Sequence, residues 1–135
     1  MKLDEKNYVE LAEKAIDELI SMVGKNGRPE KLVTTSQIRN LLAMTAAIYN
    51  DVVASQSETL SDEIIGRINY LKVRFFYEAG RSKDSDRSVL NFIEKAHIQE
   101  HIDEIQGSKA QYILFSRYME ALVAFRKYKG TSRDA

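Results

Sequence analysis

Apolar residues recur at steps of three and four along nearly the whole chain, and nowhere do they alternate over two residues as a half-buried strand requires. Tyr8, Leu11, Ala15, Ile16, Leu19, Ile20 and Val23 share one face and predict a first helix over about 4–23, stopped by Gly24. The stretch "GKNGRPEK", which holds the only proline, is the clearest loop, and the connection is read as 24–33. Thr34 and Gln37 have capping-box spacing, with Val33 and Ile38 placed as a hydrophobic staple. Behind that cap, Ile38, Leu41, Leu42, Thr45, Ile48, Tyr49 and Val52 form the broad face of a second helix, which the polar "SQSE" ends. Ser61, followed by Asp62 and Glu63, opens a third helix with acids at the positive end of its dipole, and this helix runs to Gly80.

After the polar "RSKDSDRS", a fourth helix is predicted over about 87–106, with Leu90, Ile93, Ala96 or His97, Ile102 and Ile105 facing inward and Gly107 as its stop. Ser108 and Gln111 offer a second capping-box candidate for a fifth helix reaching about residue 129, and 130–135 reads as a frayed tail. The expected fold is all-α, a compact five-helix bundle forming one domain over 1–135, without internal repeats or sustained heptads.

At 135 residues the chain is long enough to bury roughly two-thirds of its unfolded surface. Cysteine is missing, which removes disulfides and thiolate metal sites. The apolar runs are too short to span a bilayer, and the acidic, mixed opening "MKLDEKNYVELAEK" is unlike a signal peptide, so no membrane association and a cytoplasmic location are expected. Net charge is zero, which argues against a protein that grips nucleic acid alone through bulk charge. The charge is nonetheless segregated. Residues 66–83 carry net +4, residues 84–106 net −4 and residues 107–135 net +4. Such patches suit a subunit that touches both a protein neighbour and a phosphate backbone.

The segment "RINYLKVRFFYEAGR", 67–81, is hard to explain as packing alone. Arg67, Tyr70, Arg74, Tyr77 and Arg81 follow steps of three and four and so stack along one stripe, apart from the face of Ile64, Ile68, Leu71, Phe75 and Ala79. Guanidinium groups pair with phosphates, and tyrosine rings offer stacking faces to unpaired bases. The structural alternative packs both tyrosines on a neighbouring helix and leaves the arginines solvated. Lys72 falls by helical angle near Ile65, Ile68, Phe76 and Ala79, so its amine must reach outward or find a partner. Arg39 sits just after the cap of the second helix, where free N–H groups attract anions. Arg126, Lys127 and Lys129 at the end of the fifth helix, and Arg81 and Lys83 at the end of the third, also suit the negative ends of helix dipoles.

Catalytic patterns are sparse. "HIQEH", 97–101, matches the H-x-x-E-H arrangement of inverted zinc peptidases, with His97 and His101 one turn apart and Glu100 as base. Nothing in the sequence nominates a third ligand, and the surrounding "EKAHIQEHIDEIQ" reads well as a half-exposed acidic helix. Neither a Walker phosphate loop nor a G-x-S-x-G elbow is present. No metal, no cofactor and no enzymatic activity are expected.

"TTSQIRNLL", "IYNDV", "YLKVRFFYEAGR" and "FSRYMEALVAFRKYKG" together resemble the small subunit of the type III-A CRISPR interference complex, the Csm complex, over about residues 32–129. The resemblance implies a compact helical bundle, several copies of which stack head to tail inside a filament of backbone subunits holding a guide crRNA. It implies contact with the crRNA–target RNA duplex, mainly with the target strand, and partners in the Csm backbone subunit and the large palm-domain subunit. Chemistry in the family belongs to those larger subunits, with an aspartate of the backbone subunit cutting target RNA. Carried over by motif, the RNA contacts are Arg39, Lys72, Arg74 and Arg81, followed by Lys83, Arg126, Lys127 and Lys129; Arg67, Tyr70 and Tyr77 come from the ladder instead. Displaced single-stranded DNA is a further candidate ligand. A helical adaptor that binds only protein is the competing expectation.

Overall fold

The computed structural model describes residues 1–130, and these form six helices: α1 (Tyr8–Ser21), α2 (Thr35–Ala54), α3 (Asp62–Gly80), α4 (Ser88–Lys95), α5 (Ile98–Asp103) and α6 (Lys109–Tyr128). The tail predicted to fray, 130–135, lies outside the described residues except for Gly130. Among the described residues there is no strand, only isolated bridges between Val23 and Pro29 and between Thr59 and Ser108. No helix among them is long and apolar enough to cross a membrane. The all-α class holds, with one helix more than the five expected.

Helix α6 is the central member, packed against both α1 and α2. Its Tyr112, Phe115, Tyr118, Met119 and Leu122 are buried on nearly its whole inner circumference. A buried tyrosine needs a partner for its hydroxyl. Tyr112 donates to the carbonyl of Thr45 at 2.6 Å and Tyr118 to that of Ala96 at 2.7 Å. Burial pushes both phenols far above the usual tyrosine range, so they remain donors at any working pH.

The extra helix arises from a break in the predicted fourth one. His97 adopts a left-handed conformation, φ 53°, and separates α4 from α5. At the break, Ala96 offers its carbonyl to Tyr118 of α6, and the kink turns Ile98, Ile102 and Ile105 into the core. Ala96 is the inward residue at this point, while His97 faces solvent. The Ala96 carbonyl at the break is thus taken by a tertiary partner, which local periodicity does not report.

Helix α1 begins at Tyr8, four residues later than predicted, because Asp4 folds the chain locally. Its carboxylate accepts from the amides of Lys6 and Asn7 at 2.7 and 2.8 Å, an Asx-type turn that competes with helix. Leu3, ahead of this turn, is buried against the bundle. The Thr34 capping box forms in both directions, at 3.0 Å from Gln37 N to Thr34 Oγ1 and 2.8 Å from Thr34 N to Gln37 Oε1. Val33 and Ile38 are both fully buried, as a staple requires. The second box forms only by half. Ser108 accepts from Gln111 N, but the Gln111 side chain donates instead to the carbonyl of Leu3 at 2.9 Å, stitching the N-terminus to α6.

Candidate nucleic-acid interface

Helices α2 and α3 pack side by side at one flank of the bundle, and α3 buries only Ile68, Leu71, Phe75 and Ala79. The opposite side of α3 is open to solvent. Tyr70, Val73, Phe76 and Tyr77 are 63%, 59%, 39% and 54% exposed there, an unusual concentration of large apolar side chains on one helix face.

Along the edge of that face that borders α2 run Arg67, Arg74 and Arg81 at successive intervals of seven residues. Two heptads at 1.5 Å per residue give a rail about 21 Å long. The rail is not free cation throughout. Arg67 is paired with Asp51 of α2 at 2.6 Å and donates to the carbonyl of Ala47 at 3.0 Å. Arg74 lies over the Tyr77 ring, its guanidinium carbon 5.2 Å from the centroid, and a terminal nitrogen is 3.7 Å from Glu78. Arg81 approaches the same carboxylate at 3.4 Å. Glu78 is thus a half-buried anchor between two arginines, aiming both along the helix surface while leaving their heads wet.

Two hollows mark the groove between α2 and α3. One, of about 570 Å³, is lined by Met44, Ala47 and Ile48 of α2 and by Glu63, Gly66, Arg67, Tyr70, Leu71 and Arg74 of α3. The other, of about 390 Å³, joins Ser36, Gln37 and Asn40 near the start of α2 to Glu78 and Arg81 at the end of α3 and to Asp86 beyond it. Arg39 is exposed just past the first turn of α2 and has no ion-pair partner among the described residues. Lys83 is exposed just beyond α3. The structure therefore aligns Arg67, Arg74 and Arg81 along α3 beside Tyr70 and Tyr77, while Arg39, near the start of α2, and Lys83, just past α3, are exposed but line neither hollow.

Other predicted contacts fall elsewhere. Lys72 lies roughly 160° around α3 from Arg74 at 100° per residue, and its amine is bound to Asp103 of α5 at 2.7 Å. The partner its position demands is therefore a carboxylate of the neighbouring helix. Arg126 requires a correction: it is 3% exposed, and its Nε donates to the carbonyl of Val33 at 2.7 Å, so it joins α6 to the segment entering α2. Lys129 is clasped by Asp17 and Glu13 of α1, both at 2.9 Å, and these hydrogen bonds raise the pKa of its amine. Lys127 is exposed near the end of α6 and lines neither hollow.

The histidine motif is split by the break. His97 Nδ1 is 2.7 Å from Glu100, and His101 Nδ1 is 3.1 Å from Glu104, which also accepts from the Leu3 amide at 3.3 Å. His101 is buried edge-on against Tyr118, with ring centroids 4.9 Å apart. Burial pushes its pKa down, and the neighbouring Glu104 carboxylate only partly offsets this. Among the described residues, no group of three or more histidine, aspartate or glutamate side chains could hold a metal.

The neutralising acids were the main omission of sequence reasoning. Glu78 was available to it, being four residues after Arg74 and three before Arg81. Asp51 and Asp103 were not, since their partners lie on other helices.

Compared with known proteins, residues 11–132 match the family model described as Csm2 Type III-A. The chain belongs to the Csm2 type III-A family. A curated relative from Streptococcus thermophilus, "CRISPR system Cms protein Csm2", is 41% identical over 128 residues, covering 95% of each chain. Its namesake from Enterococcus italicus is 34% identical over 123 residues, covering 87% of this chain and 85% of the relative. The one from Mycobacterium tuberculosis is 36% identical over 96 residues, 71% of this chain and 74% of the relative. Membership of the Csm2 family makes the bundle a small subunit of a type III-A CRISPR complex.

Proposed function

We propose that this subunit lays its α2/α3 flank along the guide–target RNA duplex, mainly against the target strand, and performs no catalysis itself. The observation that carries the reading is the pair Arg74 and Arg81 on the outer edge of α3, both held by Glu78; Arg39 and Lys83, exposed near the ends of α2 and α3, are proposed to extend that edge. Guanidiniums held in this way recognise phosphate oxygens without reading base identity. Sequence choice then belongs to the guide, and zero net charge is reasonable because the assembly supplies most of the affinity. The Csm backbone subunit, the large palm-domain subunit and further copies of this chain are the protein partners in this reading, with displaced single-stranded DNA a second ligand for the same flank. Arg67 contributes where the RNA outcompetes Asp51.

Salt dependence tests the reading. In an assembled complex, Arg74→Ala lowers the slope of log affinity against log salt by about 0.7–0.9, as loss of one phosphate contact requires. An unchanged slope removes Arg74 from the RNA interface. A second reading, an adaptor that touches only protein, is favoured by the exposed Val73 and Phe76, and it predicts loss of assembly when these two are replaced by serine.

A further inference from the structure

We infer that the hollow beside Tyr70 seats an unpaired nucleobase, stacked on that ring, so that the flank binds RNA by aromatic stacking as well as by phosphate contact. The inference rests on the proposal that this flank meets RNA. Three features carry it. First, Tyr70 and Tyr77 lie seven residues apart on nearly the same line of α3, about 10 Å apart along the axis, and neither hydroxyl has a hydrogen-bond partner among the described residues. Their faces contribute little to the fold, yet they are held on a rigid helix. Second, one face of Tyr77 is already covered by Arg74 at 5.2 Å, whereas Tyr70 borders an open hollow of about 570 Å³ floored by Met44, Ala47 and Leu71. That volume falls within the range of small-molecule pockets, roughly 300–1,000 Å³. Its lining carries Arg67, paired with Asp51, together with Arg74 and the carboxylate of Glu63, so Arg74 is the cation left to meet a nucleotide's phosphate.

The third feature is Gly66. Side chains on a helix lean toward its N-terminus, so Tyr70 leans over the turn that begins at Gly66. A Cβ built on Gly66 meets nothing within 4 Å. Internal packing therefore gives no reason for a residue that weakens a helix interior relative to alanine. A planar ligand sliding between the ring and the helix backbone gives one. Stacking on a tyrosine face is tolerant of base identity, so the site takes a base that is out of its stack and excludes paired ones.

The test uses the assembled complex and target RNAs carrying 2-aminopurine at successive positions, whose emission falls when the base stacks on an aromatic ring. At one or more positions the parent quenches the probe, and Tyr70→Leu restores its emission and weakens RNA retention about fivefold or more. Gly66→Ala also restores emission, while raising the melting temperature of the free chain. Emission that neither variant changes overturns the inference. So does loss of neighbouring subunits from Tyr70→Leu complexes, which would make the face a protein contact. Arg39→Ala and Arg74→Ala separate the two levels. If they weaken retention while Tyr70→Leu leaves emission unchanged, only the stacking fails; if they too have no effect, the RNA-facing flank fails with it.

Discussion

Arg126 Nε donates a 2.7 Å hydrogen bond to the carbonyl of Val33, joining the last turn of α6 to the strap of chain that enters α2. A guanidinium so placed holds α2 in register with the central helix, and the whole α2/α3 flank depends on that register. Arg126→Ala leaves a buried carbonyl without this donor and removes packed methylenes. Its unfolding free energy should fall by about 2–3 kcal/mol, read as a lower melting temperature and an unchanged m-value in urea. A variant that melts as the parent does but loses target RNA would return Arg126 to the nucleic-acid surface.

Gly66→Ala should stabilise the free chain by about 0.5–1 kcal/mol, because alanine restricts the unfolded chain and finds open space in the folded one. Urea unfolding reads this directly. A destabilised variant would mean that the backbone at residue 66 is packed more closely than the structure has it.

His101 makes the bundle acid-sensitive in a defined window. Its folded-state pKa lies below the ordinary 6.5, so the unfolded chain takes up the proton first as pH falls. Stability is therefore complete above about pH 6.5 and declines below it until the folded-state value is passed. His101→Gln should flatten this part of the curve at some cost in overall stability. Asp86 acts lower. Burial raises its pKa, but hydrogen bonds from Ser88 and the Lys31 amine outweigh burial and hold it below 3.8, so its contribution is lost only as pH falls under that value. A parent curve flat between pH 7 and 5 would contradict the buried, neutral His101.

Lys72 and Asp103 should couple by about 0.2–1 kcal/mol in a double-mutant cycle, the range for partly exposed pairs, and the coupling should shrink in high salt. If Lys72 instead belongs to the RNA surface, Lys72→Ala will weaken target binding while Asp103→Ala will not.

Much of the bundle was legible because helical periodicity reports burial wherever a helix has one wet face. Ile38, Leu41, Ile48 and Val52 of α2, and Ile68, Leu71 and Phe75 of α3, are buried as their spacing requires. The break at His97 was not legible, since the Ala96 carbonyl there is taken by Tyr118, 22 residues further along the chain. The arginine ladder was legible as spacing, and Glu78 lies at pairing distance from Arg74 and Arg81 in the sequence, but the pairing of Arg67 with Asp51 was not legible, because Asp51 reaches it from another helix. Arg126 misled for a related reason: a basic residue at a helix end looks solvated unless the buried carbonyl it serves is known.

In the proposed function the α2/α3 flank is the surface that meets RNA. The direct measurement is target RNA affinity of assembled complexes carrying Arg39→Ala with Arg74→Ala, set beside a charge-matched pair at exposed positions that line neither hollow, Lys14→Ala with Arg117→Ala. The first pair should weaken binding at least about tenfold, the worth of roughly 1.4 kcal/mol, and the second should leave it near the parent value. Equal affinities for the two pairs, with both complexes fully assembled, would contradict it.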